Sequence, residues 1–597
     1  MRIHNNPTAP SCKQQCSRTI LLICSAIACT LLSTTVTTTH AAPVSSTPSS
    51  SWPGRSELKG RFLQMTDLHP DEHYLEGAAV WTSCHTINPP GGEDGSDVSR
   101  MREVGGQQRY LGQYRHHFGQ DNDGTPMNTT IGGRYGAPDT ICDSPLTLID
   151  ATFDWIGKSL MDSIDFVVWT GDNARHDSDN THPRTQEEIN ALNKIVASKV
   201  LNTFPASGPD GRRIPIIPSI GNNDVYPHNI LQPGPNPILQ YFATIWSEFI
   251  PESMVKTFVR GGYYSVEVVP DKITVVSLNT LYFYKNNAAV DGCKEEEQPG
   301  TEQMDWLETE LDKLRHRGMV AYLTGHVPPD MKSYSPTCYS RYTKIALANQ
   351  DVVVGHLYGH ANIDHFFLLS RNIKNGEEEE EEEEEEEVLQ EERVDEFDSF
   401  HYLGLGTYLE VLWAQYDDVP KRAQLKDYAI AMVAPSVVPT YNPSLRVFTY
   451  QLNNSTNDDN SSTSTLPAND DEGDEQQYLE DDISSNLNTD KSTRQWTDFR
   501  HRRKHHHKGR PNPVPTSTFG FPQAFTQYWC DLAKANKHPT RPATYEIEYQ
   551  TREDYGLENL GVSEWLGLAR RIAREEDLKN VYLDRMVVQS GANTTFV

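Results

Sequence analysis

Five short apolar runs in this chain each end in a polar segment rich in Asp, Asn and His. The runs read RFLQM, DFVVWT, IPIIPSI, MVAYLTG and DVVVGHLY. Short apolar runs of this length are typical of buried strands, and open α/β sheets place ligand-binding residues just beyond the carboxyl ends of their strands. The pattern therefore predicts a sheet with a polar site along one edge.

Amphipathic segments separate these runs and favour an α/β fold. One helix is predicted where apolar residues follow three-and-four spacing, at Leu146, Ile149, Phe153, Ile156 and Leu160. A second is predicted to begin at a capping box formed by Thr185 and Glu188, and a third contains Trp306 and Leu314 and is predicted to end at Gly318.

The C-terminal third of the chain is predicted to contain further strands and helices. YAIAMVAPSVVPTYNPSLRVFTY predicts two strands flanking a Pro-rich turn. Beyond it, FTQYWCDLAKANKH predicts a helix, TYEIEYQTREDYG a strand and VSEWLGLARRIAREE a helix. We expect residues 517–597 to pack back onto the preceding domain.

The polar segments themselves carry a signature. They read QMTDLH, VVWTGDNARHD, IPSIGNND, AYLTGHVPP and VVVGHLYGHAN. Their order resembles that of the calcineurin-like metallophosphoesterases, whose motifs run DxH, GD, GN(H/D), GH and GHxH. The resemblance spans residues 60–450. It implies a four-layer α/β/β/α sandwich that binds two divalent metal ions.

The resemblance also implies which residues hold the ions. Asp172 is expected to bridge them, since one carboxylate can bind two ions. Asp67 and His69 are expected to bind the first ion, and the second is expected to be held by Asn222, His326 and His360. Mixed oxygen and imidazole ligands suit Mn, Mg, Co, Zn or Fe, so the identity of the metal stays open.

Two positions depart from the family pattern. Asn362 replaces the second His of GHxH and offers an amide oxygen to the first ion, and Asn223 replaces the His that contacts the substrate in GNHD. His176 lies four residues after Asp172, a spacing shared with the acid-sphingomyelinase-like branch, and is the candidate for the remaining acid or phosphate-binding role. Arg175 is a weaker candidate for a phosphate contact.

The substitution at Asn223 favours one class of substrate. An alkoxide leaving group needs a proton in the transition state, whereas a leaving phosphate is already stabilised as an anion. Phosphoanhydrides are therefore favoured over phosphate esters.

Charge is segregated along the chain, whose net charge is -30. Glu377–Glu387 is an unbroken glutamate run, and it predicts a disordered insertion at about 375–397. Residues 451–516 form a second, polar insertion with a basic tract at 500–510, which is interpreted as a linker or as a site for polyphosphate, nucleic acid or the glutamate run. No nucleic-acid partner is expected for the chain as a whole. Arg212 and Arg213 are read either as phosphate contacts or as solvated charges.

A narrower resemblance lies in QYW…L, W…LARRI, GDNARHD, GNNDVYPHN and GHANIDHF, which are similar to the fungal endopolyphosphatases. It implies internal cleavage of inorganic polyphosphate in the vacuole, by an enzyme with a membrane anchor. Two alternatives are a secreted sphingomyelinase-like phosphodiesterase and a binding protein on an inactive phosphoesterase fold.

The N-terminus agrees with an anchor. Residues 1–18 are interpreted as a cytoplasmic tail, 19–39 as a single-pass type II signal anchor and 40–59 as a lumenal linker; a cleaved signal peptide is the alternative. Glycosylation sequons then lie in the lumen at Asn128, Asn453, Asn454, Asn460 and Asn593. Lumenal cysteines allow the pairs Cys84 with Cys142 and Cys293 with Cys338, although the sequence does not decide connectivity.

The other histidines have no motif around them. His356 is interpreted as a hydrogen-bonded residue within a strand. Solvent-exposed or core roles are expected for His73, His85, His116, His117 and His365.

Overall fold

The structure, a computed structural model, describes residues 58–87, 130–206, 213–370, 404–453 and 519–591. Two six-stranded sheets dominate these residues, with strand orders β14-β13-β12-β1-β4-β5 and β10-β11-β9-β8-β7-β6, and β2 pairs with β3 in a small third sheet. The strands are β1 (Arg61–Met65), β2 (Pro70–Asp71), β3 (Ser144–Pro145), β4 (Phe166–Trp169), β5 (Ile216–Pro218), β6 (Tyr264–Val269), β7 (Ile273–Ser277), β8 (Val320–Thr324), β9 (Val353–Tyr358), β10 (His365–Ser370), β11 (Tyr428–Val433), β12 (Ser444–Tyr450), β13 (Pro522–Trp529) and β14 (Glu546–Gln550).

Helices connect and cover the strands, and the predicted α/β fold is confirmed. They are α1 (Leu146–Ser159), α2 (Gln186–Thr203), α3 (Pro237–Ile245), α4 (Val255–Gly261), α5 (Pro299–His316), α6 (Pro336–Ala348), α7 (Gly404–Asp417), α8 (Leu532–Lys537), α9 (Thr551–Tyr555), α10 (Val562–Ile572) and α11 (Glu576–Met586). The Thr185 side chain caps α2 by accepting from the Glu188 N–H, as the sequence predicts, but the Glu188 carboxylate pairs with Arg175.

The two large sheets pack face to face through aromatic side chains. On β1, the Phe62 ring stacks on Phe166 of β4 and Phe448 of β12, at centroid distances of 4.6 and 4.7 Å. It also meets Tyr322 of β8, in the other sheet, edge-on at 5.1 Å. Offset and edge-to-face ring pairs of this kind stabilise a core beyond the area that they bury.

The parallel strands end at a common edge. Met65 of β1 lies beside Trp169 of β4, and Trp169 lies beside Pro218 of β5. In the second sheet β8 and β9 are also parallel, with Thr324 beside Leu357. The polar segments that follow these strands are therefore brought to one edge of the fold, as open α/β sheets require.

One predicted element is wrong. FTQYW belongs to strand β13, not to a helix, and α8 begins only at Leu532, after the Asp531 side chain caps it by accepting from the Lys534 N–H. The strand forms because β12 offers a complete antiparallel ladder, in which Phe525 lies opposite Phe448. Arg446 of β12 also covers the Phe525 ring at 4.1 Å. This pairing overrides the local helical pattern.

The C-terminal residues join the same body. β13 and β14 extend the first sheet beyond β12, and Trp565 of α10 packs on Phe366 of β10 at 4.5 Å. Disulfides join Cys84 to Cys142 and Cys293 to Cys338, two of the pairings that the sequence leaves open, and Cys530 is a buried free thiol.

Several predictions fall outside the described residues. These are the N-terminal tail, anchor and most of the linker, the glutamate run, the basic tract, Arg212, His116, His117 and the sequons at Asn128, Asn454, Asn460 and Asn593. Among the helices of the described ranges, none is both long and apolar enough to cross a bilayer. Asn453 is described and lies exposed.

Candidate metal centre

The predicted ligands converge where the parallel strands end. Asp67 and His69 follow β1, Asp172 follows β4 and His326 follows β8. Asp172 Oδ2 lies 3.4 Å from His69 Nε2 and 3.1 Å from His326 Nε2. One carboxylate oxygen thus faces two groups of ligands, which is the arrangement that a bridging ligand requires.

The first group leaves buried polar atoms without partners. Asp67 Oδ1, His69 Nε2 and Asn362 Oδ1 are all buried and have no hydrogen-bond partner among the described residues. His69 Nε2 lies 3.6 Å from Asp67 Oδ1. Buried polar atoms are rarely left unsatisfied, and a divalent cation would satisfy all three. The donor set therefore fits a metal ion, with the Asn362 amide in the place of the usual imidazole.

The second group is equally compact. Asn222 Oδ1 lies 2.8 Å from His326 Nε2 and 2.9 Å from His360 Nδ1. The two imidazole nitrogens are 3.2 Å apart. With Asp172 they form a second set of nitrogen and oxygen donors that could hold a divalent ion.

Backbone carbonyls orient the imidazoles. His69 Nδ1 lies 2.8 Å from the Ala174 carbonyl oxygen, and His326 Nδ1 lies 2.8 Å from that of Thr170. Each carbonyl accepts from the Nδ1–H, so Nε2 remains available as a ligand, which is the usual outer-shell arrangement of metal-binding histidines. Asp67 is held in the same way, since its Oδ2 accepts from the His360 N–H at 3.0 Å and from the Thr66 hydroxyl.

The ligand loops adopt unusual backbone conformations. φ is positive at five ligands, at Asp67 (48°), His69 (39°), Asp172 (55°), His360 (71°) and Asn362 (58°). Non-glycine residues rarely occupy this left-handed region, at a cost of roughly 1–3 kcal/mol each. Such conformations persist where the surrounding contacts fix them, and they cluster at functional sites.

Two motif glycines are required by close packing. A Cβ at Gly221 would lie 2.0 Å from Asp172 Oδ1, and a Cβ at Gly359 would lie 2.6 Å from Asp67 Oδ2. Any side chain at these positions would displace a ligand. This explains the glycines that precede Asn222 and His360 in the motifs.

Asp224, the last residue of GNND, fastens two ligand loops together. Its Oδ2 accepts from the N–H groups of Asp172 and Gly221, both at 2.9 Å, and its Oδ1 accepts from the Asn173 N–H at 2.6 Å. Burial and the neighbouring charge of Asp172 raise the pKa of Asp224 to about 6. The carboxylate therefore positions Asp172 and Asn222 relative to each other.

The protein without metal holds protons where the ions would bind. Burial alone would lower the pKa of His69 and of His326, but the nearby Asp67 and Asp172 carboxylates raise the pKa of each to about 9. Burial would raise the pKa of Asp172, yet His326 and His69 hold it well below its ordinary value. The site is thus built to concentrate cations.

His176 lies over the first ligand group. Its ring stacks on His69 at a centroid distance of 3.9 Å. The Asp143 carboxylate fixes it, since Oδ1 lies 2.6 Å from His176 Nδ1 and Oδ2 accepts from the His176 N–H at 2.7 Å. Burial would raise the pKa of Asp143, but His176 lowers it below its ordinary value. Asp143 was not singled out in the sequence because it lies 33 residues before His176.

Asn223 and Arg175 have structural partners in the loops. The Asn223 amide donates to Asp172 Oδ2 at 2.9 Å, and its N–H donates to Asp172 Oδ1 at 2.8 Å. Arg175 is buried and donates to the Glu188 carboxylate at 2.5 Å and to the His182 carbonyl at 2.5 Å. Their predicted catalytic and substrate-binding roles stay predictions. Both side chains also hold the ligand loops in place.

Besides Asp143, two further residues of this site were not predicted from the sequence. Arg184 is buried, and its Nη1 donates to the carbonyl oxygens of Arg175 at 2.7 Å and of Asn223 at 3.0 Å. Its Nε and Nη2 have no hydrogen-bond partner in the described part of the chain. No motif surrounds Arg184, so no local pattern indicates its role.

His228 is the second missed residue. Its Nε2 lies 3.1 Å from Asn222 Nδ2. Burial and the nearby Arg184 hold its pKa well below the ordinary value, so it is neutral. The available signal was its position in GNNDVYPHN, shortly after the motif that lacks the usual histidine.

The unassigned histidines in strands have core roles, as predicted. His356 Nδ1 lies 2.7 Å from the Tyr342 hydroxyl, and burial lowers its pKa to about 4. His365 contacts the Tyr408 hydroxyl, and burial lowers its pKa to about 3.

Comparison with known proteins gives a consistent result. The sequence profile of the calcineurin-like phosphoesterases matches residues 60–362. The chain is 39% identical over 442 residues to an endopolyphosphatase of Cryptococcus neoformans, covering 71% of this chain and 63% of that protein. It is 37% identical to an endopolyphosphatase of Yarrowia lipolytica, covering 67% of this chain and 56% of that protein.

A third relative aligns over most of both chains. The endopolyphosphatase of Saccharomyces cerevisiae is 30% identical over 615 residues, which cover 90% of this chain and 86% of that protein. The matches to the first two relatives span less than two thirds of their length. These relatives do not favour the sphingomyelinase-like alternative.

Proposed function

The chain belongs to the calcineurin-like phosphoesterase family, and we propose that it is a metal-dependent endopolyphosphatase that cuts inorganic polyphosphate at internal phosphoanhydride bonds. The observation that carries the proposal is the position of Asp172 Oδ2, 3.4 Å from His69 and 3.1 Å from His326. Two divalent ions held there would activate a water at neutral pH and neutralise phosphate charge. Relatives with the name endopolyphosphatase support the substrate class.

The residues around the ligands suit an anhydride. Asn223 cannot protonate a leaving group, and its amide is directed to Asp172. A leaving phosphate needs no proton because its negative charge is spread over several oxygens. His176 is held by Asp143 above the first ligand group, where its imidazole can donate to a phosphate oxygen.

Arg184 is a second side chain proposed to contact the substrate. Its Nη1 is fixed by two carbonyls, while its Nε and Nη2 have no partner among the described residues. A guanidinium with two adjacent unpaired donors matches two phosphate oxygens. Both donors are buried in this structure, so a substrate would have to displace the residues that cover them. A local cation of this kind is needed because the whole chain carries a net charge of -30.

We further propose that the enzyme acts in the vacuolar lumen and is held at the membrane as a single-pass type II protein. Support comes from the apolar segment at 19–39 and from the two disulfides, because disulfides persist in oxidising compartments. Five sequons beyond the anchor agree with lumenal exposure.

A polyphosphate digest tests the proposed reaction. Purified protein, freed of metal and then supplied with Mn, Mg, Co or Zn, should convert long polyphosphate into chains of intermediate length before free phosphate accumulates. Asp172→Asn should lower the rate at least about 100-fold and leave the circular-dichroism spectrum unchanged. Asp154→Asn is the matched control because Asp154 lies exposed on α1. Release of phosphate without intermediates would contradict internal cleavage, and full activity of Asp172→Asn would contradict the site.

A further inference from the structure

A second cluster of histidines and carboxylates lies beside the loop that carries His176. His85 Nδ1 lies 2.6 Å from Asp179 Oδ2, and His182 Nδ1 lies 2.9 Å from the same oxygen. Each of the three residues offers one ligand atom that lies within 4.8 Å of those of the other two. They share no residue with the two ligand groups that contain Asp172. We propose that His85, Asp179 and His182 form a third divalent-cation site, with zinc as the best match.

The spacing of the three atoms suits a small ion. Zinc bound at about 2.0–2.1 Å holds tetrahedral ligand atoms roughly 3.3 Å apart. His85 Nδ1 and His182 Nδ1 would each have to withdraw from Asp179 Oδ2 by less than about 1 Å. Two imidazoles and one carboxylate, with a fourth position left open, form a donor set that zinc commonly occupies.

The unused atoms of two ligands are already fixed. His85 Nε2 lies 2.8 Å from Asp71 Oδ2, which forms the carboxylate–histidine pair found behind metal-bound imidazoles. Asp179 Oδ1 accepts from the Thr181 N–H at 2.8 Å and from the Thr181 hydroxyl at 2.7 Å. The Asp179 Oδ2 and His85 Nδ1 atoms are therefore the ones left facing the proposed ion.

Charge and access agree with this assignment. Burial would raise the pKa of Asp179, but hydrogen bonds from Thr181, His85 and His182 hold it below its ordinary value, so Asp179 is an anion. The His85 side chain is 2% exposed and the His182 side chain 39% exposed. The ion would thus be buried on the side of His85 and accessible to water on the side of His182.

The proposed ion would join two segments of the chain. His85 follows Cys84, which is bonded to Cys142, and Cys142 precedes the Asp143 that holds His176. Asp179 and His182 lie on the loop between His176 and Arg184. A cation at this position would therefore brace the loop that carries both proposed phosphate contacts. Binding of this ion would not depend on which reaction the Asp172 centre performs.

Zinc stoichiometry tests the site. Full-length protein is stripped with a chelator, equilibrated with zinc, freed of excess zinc and measured by plasma mass spectrometry. His182→Ala should bind one zinc per chain fewer than the wild type. His73→Ala is the matched control: His73 is also 39% exposed and lies beside the cluster, at a ring distance of 4.9 Å from His182, but is not one of the proposed ligands. It should bind as much zinc as the wild type.

A second measurement separates this site from the Asp172 centre. In an Asp172→Asn background, His182→Ala should still remove one zinc per chain, and zinc should slow protease cleavage between residues 177 and 183 only while His182 is present. Equal zinc binding by the wild type and His182→Ala would overturn the proposal. Equal loss in His73→Ala and His182→Ala would also overturn the assigned ligands. Neither outcome depends on polyphosphate cleavage.

Discussion

At the scale of single residues, the candidate metal centre gathers buried anions that need cations beside them. In the protein without metal, protons supply part of that positive charge, since the pKa values of His69 and His326 are both about 9. Metal ligands must be deprotonated to bind. Protons and metal ions therefore compete for the same nitrogen atoms.

This competition predicts proton release on metal binding. Both pKa values are raised, so at about pH 7 the two imidazoles hold protons that a metal must displace. We expect close to two protons released per dinuclear site at about pH 7 and an affinity that rises with pH until about pH 9. Calorimetry in buffers of different ionisation enthalpy measures the number of protons released on metal binding. His326→Ala should release about one proton fewer, and release that does not change with pH would contradict the pKa values.

Substitution of Arg184 is expected to have a different effect from substitution of Arg175. Charge-assisted hydrogen bonds contribute about 1.5–3 kcal/mol, so Arg184→Gln should raise the KM for polyphosphate at least about tenfold with a smaller change in kcat. Arg175→Gln is the comparison because Arg175 is engaged with Glu188 and should mainly lower the melting temperature. The assignment fails if Arg184→Gln affects only stability.

At the scale of elements, the strands and most ligands could be predicted from the sequence, because apolar runs and motif spacing are local signals. β1 covers RFLQM in full, and the segment after it supplies Asp67 and His69. The strand at FTQYW could not be predicted locally because it depends on pairing with β12, which lies more than 70 residues earlier. Asp143 and Arg184 could not be found either, since only the folded chain brings them to His176 and Asn223.

In the turn after β5, the close packing around Gly221 predicts that one added methyl group disturbs the metal centre. At Gly221, a Cβ would lie 2.0 Å from Asp172 Oδ1 and 2.4 Å from the Asp172 nitrogen. Gly221→Ala should therefore displace Asp172 and lower metal-dependent hydrolysis at least about 100-fold. Metal content and activity are both measured.

A glycine in a helix provides the control for that variant. Gly567 lies in α10 with nothing within 4 Å of an added Cβ. Gly567→Ala should keep full activity and stabilise the fold by up to about 1 kcal/mol, because alanine favours helices. Normal metal content in Gly221→Ala would contradict the role given to this turn.

At the scale of the whole molecule, buried charges join distant parts of the chain. Arg446 of β12 is buried and pairs with Asp364 at 2.5 Å, just before β10 of the other sheet, and Asp364 also accepts from the Tyr549 hydroxyl of β14. The Arg446 Nε donates to Gln527 of β13 at 3.0 Å. Removing one partner of a buried pair leaves an uncompensated charge. The two sheets and the C-terminal strands are therefore expected to unfold together.

Asp139 also contacts residues far away in the sequence. Its N–H donates to the Thr440 carbonyl at 3.0 Å, and its Oδ1 is a buried atom without a partner in the described ranges. Burial raises its pKa from 3.8 to about 7, against a hydrogen bond from Ser590 that lowers it. A raised pKa in the folded state means that this carboxyl favours folding while it is protonated. Its contribution is complete below about pH 4 and is lost as the pH rises through about 7.

Because the pKa of Asp139 is raised in the folded protein, the effect of Asp139→Asn on stability is predicted to depend on pH. The amide copies the protonated carboxyl, so at about pH 8 the variant should be more stable than the wild type. We expect a difference on the order of 1 kcal/mol, because the half-buried side chain is partly screened by solvent, and a melting temperature higher by about 2 °C. At about pH 4.5 the two proteins should melt within roughly 1 °C of each other. Thermal melts of the metal-free protein at both pH values measure this, so that metal binding does not differ between the two conditions. An equal difference at both would show that the Asp139 carboxyl does not titrate between them.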